Sequence, residues 1–195
     1  MNIKPQFPLA IFLLLSLVMT TTRLPDVWTF VHLQDASWAI FFLGGFYLRR
    51  EWKWALPLLL AEAVAIDWFA VSAIGVRNVC LTAAYWFLIP AYGALWLGGA
   101  WAAKHDARNL RTLALLTLSL FVSVNLCYLI SNASFYWLGG ASAPTLAGWI
   151  RNFRDWYGPF LSMPFRYVGI AALAHVVAVE ASAFLTAGKS RGMHD

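Results

Sequence analysis

The stretch Trp54-Ala55-Leu56-Pro57-Leu58-Leu59-Leu60-Ala61-Glu62-Ala63-Val64-Ala65-Ile66-Asp67-Trp68-Phe69-Ala70-Val71-Ser72-Ala73 decides the fold. Glu62 and Asp67 are its only ionisable side chains. Wound as a helix it is about 30 Å long, the thickness of a bilayer's hydrocarbon core. Five more apolar runs flank it, at residues 7–22, 36–48, 81–103, 110–131 and 157–187. The run at 36–48 is the shortest and predicts a tilted or partly buried helix. Across the 195 residues, 61% are hydrophobic and only 12% charged, about half the charged fraction of an ordinary soluble domain. The expectation is an all-α membrane protein: one integral membrane domain, residues 1–195, built as a six-transmembrane-helix bundle.

The basic residues orient that bundle. Lys4, Arg49, Arg50, Lys53, Lys104, Arg108, Arg111, Lys189 and Arg191 fall on one side, and Arg23, Arg77, Arg151 and Arg154 on the other, with Arg166 in or near the last helix. The richer side is expected to be cytoplasmic, which places both termini inside and agrees with an even number of spans. Residues 9–19 after Lys4 lack a small-x-small cleavage site and predict a retained first helix rather than a secretory signal. The net charge of +5 is scattered around the spans and forms no single basic stripe. It points to the lipid bilayer and not to nucleic acid.

Short basic turns on the inner side contrast with longer outer segments at 23–35, 74–80 and 132–156. The outer segments carry Trp28, Trp137, Trp149, Trp156, Tyr136 and Tyr157, which form either an interfacial aromatic belt or the walls of a binding site. The outer face is thus expected to be the working side.

Cys80 ends the segment Gly75-Val76-Arg77-Asn78-Val79-Cys80 and opens the fourth helix. There it is either a small apolar helix residue or a thiolate favoured by the helix dipole and by Arg77, and a thiolate is a soft metal ligand. Cys127 lies inside an apolar run, so a disulfide with Cys80 is not the expected state. Asp67 sits in the outer half of its span, where a carboxylate needs a cavity or a partner. Glu62 lies deeper, within prospective reach of His175 as a structural polar pair. Tyr85 follows Cys80 by just over a turn, behind the small residues Thr82, Ala83 and Ala84, which either leave room for a flat ligand or serve helix packing. His32, Gln34 and Asp35 in the first outer segment, and Asn132, Arg151, Asn152, Arg154 and Tyr157 in the last, are candidate hydrogen-bonding groups.

Several chemistries are excluded. Only His175 of the four histidines is deep in a span, too few for a bis-histidine haem. The chain has no phosphate-binding GxxxxGK[ST] loop, no GxSxG elbow, no CxxC and no zinc-spaced Cys/His cluster.

The stretch Gly75-Val76-Arg77-Asn78-Val79-Cys80-Leu81-Thr82-Ala83-Ala84-Tyr85-Trp86 and the second helix Ser37-Trp38-Ala39-Ile40-Phe41-Phe42-Leu43-Gly44-Gly45 carry a resemblance. With the six-helix layout, they make the chain similar to the S-components of energy-coupling factor (ECF) vitamin transporters. Within these it resembles the cobalamin-specific, BtuM-type members. The resemblance implies a multi-pass protein of the bacterial cytoplasmic (inner) membrane that binds cobalamin at the extracytoplasmic face and mediates its uptake. Cobalamin is then a transported substrate and the chain is not an enzyme. The resemblance also implies that Cys80 is the axial cobalt ligand in place of dimethylbenzimidazole. Asp67 and Tyr85 then stand near the thiolate, and His32, Asp35, Arg154 and Tyr157 contribute from the outer segments. The implied partner is an ECF coupling module, a transmembrane subunit plus two ATPases. The first helix departs from the family's Ala-xxx-Ala docking surface, because its one small pair at that spacing is Ser16 and Thr20. Competing expectations are an S-component for another vitamin, a small membrane thiol enzyme or assembly factor with Cys80 as nucleophile, and a purely structural subunit.

Overall fold

The computed structural model describes residues 6–24, 34–73, 82–105, 110–140 and 142–191. Among these residues the chain is mostly helical, with six α-helices and no strand. They are α1 (Gln6–Arg23), α2 (Ser37–Tyr47), α3 (Trp52–Ala73), α4 (Leu88–Ala102), α5 (Leu110–Phe135) and α6 (Leu146–Arg191). A short 3-10 turn, Ala83–Phe87, leads into α4, and a π turn, Tyr136–Gly140, closes α5. Three helical stretches are long and apolar enough to cross a membrane: Trp52–Ala73, Leu113–Gly139 and Leu146–Val179. Phe7–Arg23 and Ser37–Tyr47 are shorter apolar helices.

The shortest helix is the centre of the bundle. Eight of the 11 residues of α2 are buried, including Trp38, Ile40, Phe41 and Phe42. A helix apolar on every side must be enclosed by protein or face lipid, and α2 is enclosed. Its most extensive partner is α4, and two glycines, one on each helix, let the backbones touch. A Cβ at Gly45 would overlap the Trp96 carbonyl oxygen, and one at Gly99 would overlap the Phe42 carbonyl oxygen. Small residues at a helix crossing permit this approach, which in a membrane replaces the hydrophobic drive available in water. Phe41 stacks on Tyr92 of α4 at 4.3 Å, and α5 covers the other side of α4.

Three sequence expectations are corrected. The last helix starts at Leu146, not at 157, so most of the predicted outer loop 132–156 is helical. Thr145 makes that earlier start possible: its Oγ1 accepts the Gly148 N–H at 3.1 Å, an N-cap bond that satisfies a free helix-end donor. The fourth helix begins with the 3-10 turn at Ala83 rather than as an α-helix at 81. The proposed Glu62–His175 pair does not form. Thr20 Oγ1 donates to Glu62 Oε1 at 2.9 Å, and His175 Nδ1 lies 3.2 Å from the Tyr47 hydroxyl.

These contacts define two ends. At one, the α2–α3 turn meets the end of α4, where Arg49 Nη1 donates to the Ala103 carbonyl at 2.5 Å. At the other, the end of α1, the start of α2, the end of α3 and the 3-10 turn before α4 converge on one polar cluster.

Candidate functional site

Arg23, the last residue of α1, is the hub of that cluster. Its Nε and Nη2 donate to the two oxygens of Asp67, each at 2.7 Å, a bidentate fork from α1 to α3. Nη1 donates to Ser37 Oγ at 2.7 Å, to the Tyr92 hydroxyl at 3.1 Å and to Asp35 Oδ2 at 3.3 Å. Tyr85, on the 3-10 turn, donates its hydroxyl to Asp67 Oδ2 at 2.7 Å. One guanidinium thereby ties together α1, α2, α3 and α4. Planar arginine suits the role because its five donors are fixed in a fork and its charge cannot be removed by burial.

Each member is held in turn. Asp35 Oδ1 accepts the Ser37 N–H at 2.9 Å and the Ser37 hydroxyl at 2.6 Å, which fixes the carboxylate at the start of α2. Thr22 Oγ1 accepts the Ala36 N–H at 3.1 Å and so ties the same corner to α1. The Arg23 and Asp67 side chains are 10% and 16% exposed, whereas Asp35 is 40% exposed. Among the described residues the cluster sets two carboxyl groups, Asp35 and Asp67, around one guanidinium, with Asp35 on its more open side.

A cavity of about 430 Å³ opens beside the cluster. Arg23, Asp35, Asp67 and Tyr85 form its polar wall, and Trp38, Tyr128, Trp156 and Phe160 an aromatic one. Within the aromatic wall, Trp38 packs against Phe160 at 5.2 Å, and Tyr128 packs against Phe160 at 5.6 Å. The Tyr128 hydroxyl donates to the Phe153 carbonyl at 2.7 Å. At the α5–α6 side, Asn132 Nδ2 donates to Asn152 Oδ1 at 2.9 Å, and Trp149 Nε1 donates to Asn132 Oδ1 at 3.1 Å. Both asparagines line the cavity. A concave, mostly apolar space of this volume with a few fixed polar groups is the usual form of a small-molecule site.

Of the residues singled out in the sequence, Asp67, Tyr85, Asp35, Asn132 and Asn152 come together at this cavity. Arg154 is exposed and is not part of its lining. Tyr157 stands one layer behind the aromatic wall, donating its hydroxyl to Asn125 Oδ1 at 2.8 Å and packing on Tyr128 at 5.7 Å. Cys80, His32 and Arg77 lie outside the described residues. Sequence reasoning missed Arg23, which it used only to orient the bundle, and Tyr92, Tyr128 and Phe160; it named Trp156 as a possible binding-site wall, and Ser37 and Trp38 only within the second-helix resemblance. A signal for Arg23 was present: a carboxylate inside a span calls for a cation, and Arg23 is the only charged residue of α1. Among the described residues no group of three His, Cys, Asp or Glu side chains is placed to hold a metal ion. No family model matches the chain, and no curated protein matches it.

Proposed function

We propose that this protein is a membrane receptor that captures cobalamin at the Arg23 end of the bundle for uptake across a bacterial cytoplasmic membrane. What supports this most is the convergence of Asp67 and Tyr85, on separate helical elements, at one aromatic-walled cavity. Cys80 lies two residues before Thr82 in the chain, on the approach to that same Tyr85. In this proposal the Cys80 thiolate gives cobalt an axial sulfur in place of dimethylbenzimidazole. Trp38, Tyr128, Trp156 and Phe160 offer flat apolar surface to the macrocycle, and Asp35 and the Asn132–Asn152 pair accept from and donate to its carboxamide arms. Six spans with both termini inside complete the picture, together with delivery through an ECF coupling module. The exposed face of α1 carries Leu9, Leu13, Leu14 and Leu17, while Thr20 is bonded to Glu62. Any coupling subunit would therefore meet a leucine surface rather than an alanine one.

A smaller ligand is the second reading, favoured by the cavity volume and the open position of Asp35. About 430 Å³ suits a drug-sized molecule, and a corrinoid would extend beyond the rim. A flat cationic vitamin would place its charge by Asp35 and its ring on the aromatic wall.

The visible spectrum of the detergent-purified protein after incubation with cobalamin and removal of excess decides between them. Wild-type protein is expected to retain the corrinoid with a base-off, sulfur-ligated spectrum that Cys80→Ala lacks. A wild type that retains no corrinoid overturns the cobalamin proposal. Thermal stabilisation by a small cationic vitamin in its place would establish the second.

A further inference from the structure

A second concavity, about 650 Å³, lies between α4 and α5 on the flank of the bundle, away from the Arg23 cluster. Its walls are Leu97 and Trp101 of α4 and Leu118, Val122 and Leu126 of α5. These side chains face outward: Leu97 is 70% and Leu118 53% exposed. The floor is closed and fixed. Ser119 Oγ donates to the Gly98 carbonyl at 2.8 Å, and a Cβ on Gly98 would come within 2.6 Å of Ser123 Cβ. From Ala94 of α4 to Lys104, just past the end of that helix, the groove spans ten residues, about 15 Å, or the depth of one leaflet of the hydrocarbon core.

The two ends differ. Ala94 and Leu126 make one end wholly apolar, whereas Lys104 stands at the other, beside the α4 terminus that Arg49 also caps. Among the described lining residues there is no carboxylate to pair with Lys104. Trp101 lies one turn from Lys104 and packs, tilted, on His105 at 4.4 Å, the placement of a headgroup-level aromatic. Apolar length ending in a lysine with no carboxylate among the described lining residues matches an amphiphile with an anionic head. A partner helix fits less well, because Ser123 already fills the notch at Gly98 that close backbone approach would need.

We propose that this groove binds one anionic phospholipid, its acyl chain along Leu97, Trp101, Leu118 and Val122 and its phosphate at Lys104. The bilayer itself supplies the ligand.

Native mass spectrometry of the full chain, with phosphatidylglycerol or phosphatidylcholine of identical acyl chains, tests it. Wild-type protein should retain one phosphatidylglycerol about fivefold more than phosphatidylcholine, the effect of one lysine near an anionic headgroup. Lys104→Gln should abolish that preference and leave phosphatidylcholine retention unchanged. Val122→Trp, which fills the groove, should reduce retention of both lipids. The proposal is overturned by equal retention of the two lipids in the wild type, or by an undiminished preference in Lys104→Gln. It is equally overturned if Val122→Trp leaves lipid retention intact and instead dissociates a dimer, which would make the groove a contact between two copies. Lys104 is exposed at a helix end, so its substitution decides the question even if Val122→Trp fails to fold.

Discussion

Replacing Arg23 by Met isolates the energetics of the polar hub. The guanidinium meets Asp67 through two 2.7 Å bonds between side chains that are 10% and 16% exposed. Methionine preserves most of the arginine's length and apolar stem, so the lost quantity is charge and hydrogen bonding. Asp67 is then left as a mostly buried carboxylate with the Tyr85 hydroxyl as its remaining partner. Removing one partner of a buried pair costs about 3–5 kcal/mol. Asp35 adds little to that cost, because it is 40% exposed and keeps its bonds from Ser37. For a chain of this length each kcal/mol is about 2–4 °C in Tm, so Arg23→Met should melt about 10 °C lower in detergent, followed by intrinsic tryptophan fluorescence. Asp67→Leu should fall by a similar amount, since it leaves the guanidinium with only the half-exposed Asp35 as a counter-charge. The double variant Arg23→Met/Asp67→Leu should recover most of the loss, because a buried ion pair exchanged whole for apolar side chains is close to neutral in stability. A Tm for Arg23→Met within about 2 °C of wild type, or a double variant showing the sum of the single losses, would refute the assignment of Arg23 as the hub.

Other expectations follow from single contacts. Gly99→Ala and Gly45→Ala should each destabilise by about 1–3 kcal/mol or prevent folding, since the added methyl overlaps a backbone oxygen across the α2–α4 crossing. Gly93→Ala, which meets nothing within 4 Å, should be neutral or stabilising by about 0.5–1 kcal/mol, and the same melting assay reads both. Tyr85→Phe removes one hydrogen bond to a carboxylate and should cost about 1.5–3 kcal/mol while leaving the helical circular dichroism unchanged. Thr145→Ala should cost about 1 kcal/mol through loss of the α6 cap, measured as faster hydrogen exchange at the Gly148 amide.

The sequence by itself determined the class of fold: its charge depletion and long apolar runs call for an all-helical chain with stretches long and apolar enough to cross a membrane, and three such stretches form. It also picked out Asp67, because a carboxylate in a span is costly wherever the chain folds. It did not reveal that α2 is the centre. A short apolar run reads alike whether it is tilted at the edge or enclosed; the reciprocal approach of Gly45 to Trp96 and Gly99 to Phe42 seats it on α4, and α1, α3 and α6 cover its other sides. The start of α6 was not legible because 132–156 reads as a polar, aromatic outer segment, whereas the helix opens at Thr145, whose Oγ1 and carbonyl accept the Gly148 and Trp149 N–H groups. Tertiary structure alone decided that Arg23, 44 residues from Asp67, is its partner, and that Trp38, Tyr128, Trp156 and Phe160 share one wall. Periodicity fixes which side of a helix is apolar, but in a chain apolar on nearly every side it does not say which neighbour each side will meet. That choice belongs to packing, where small residues permit close approach and a buried charge finds its counter-charge.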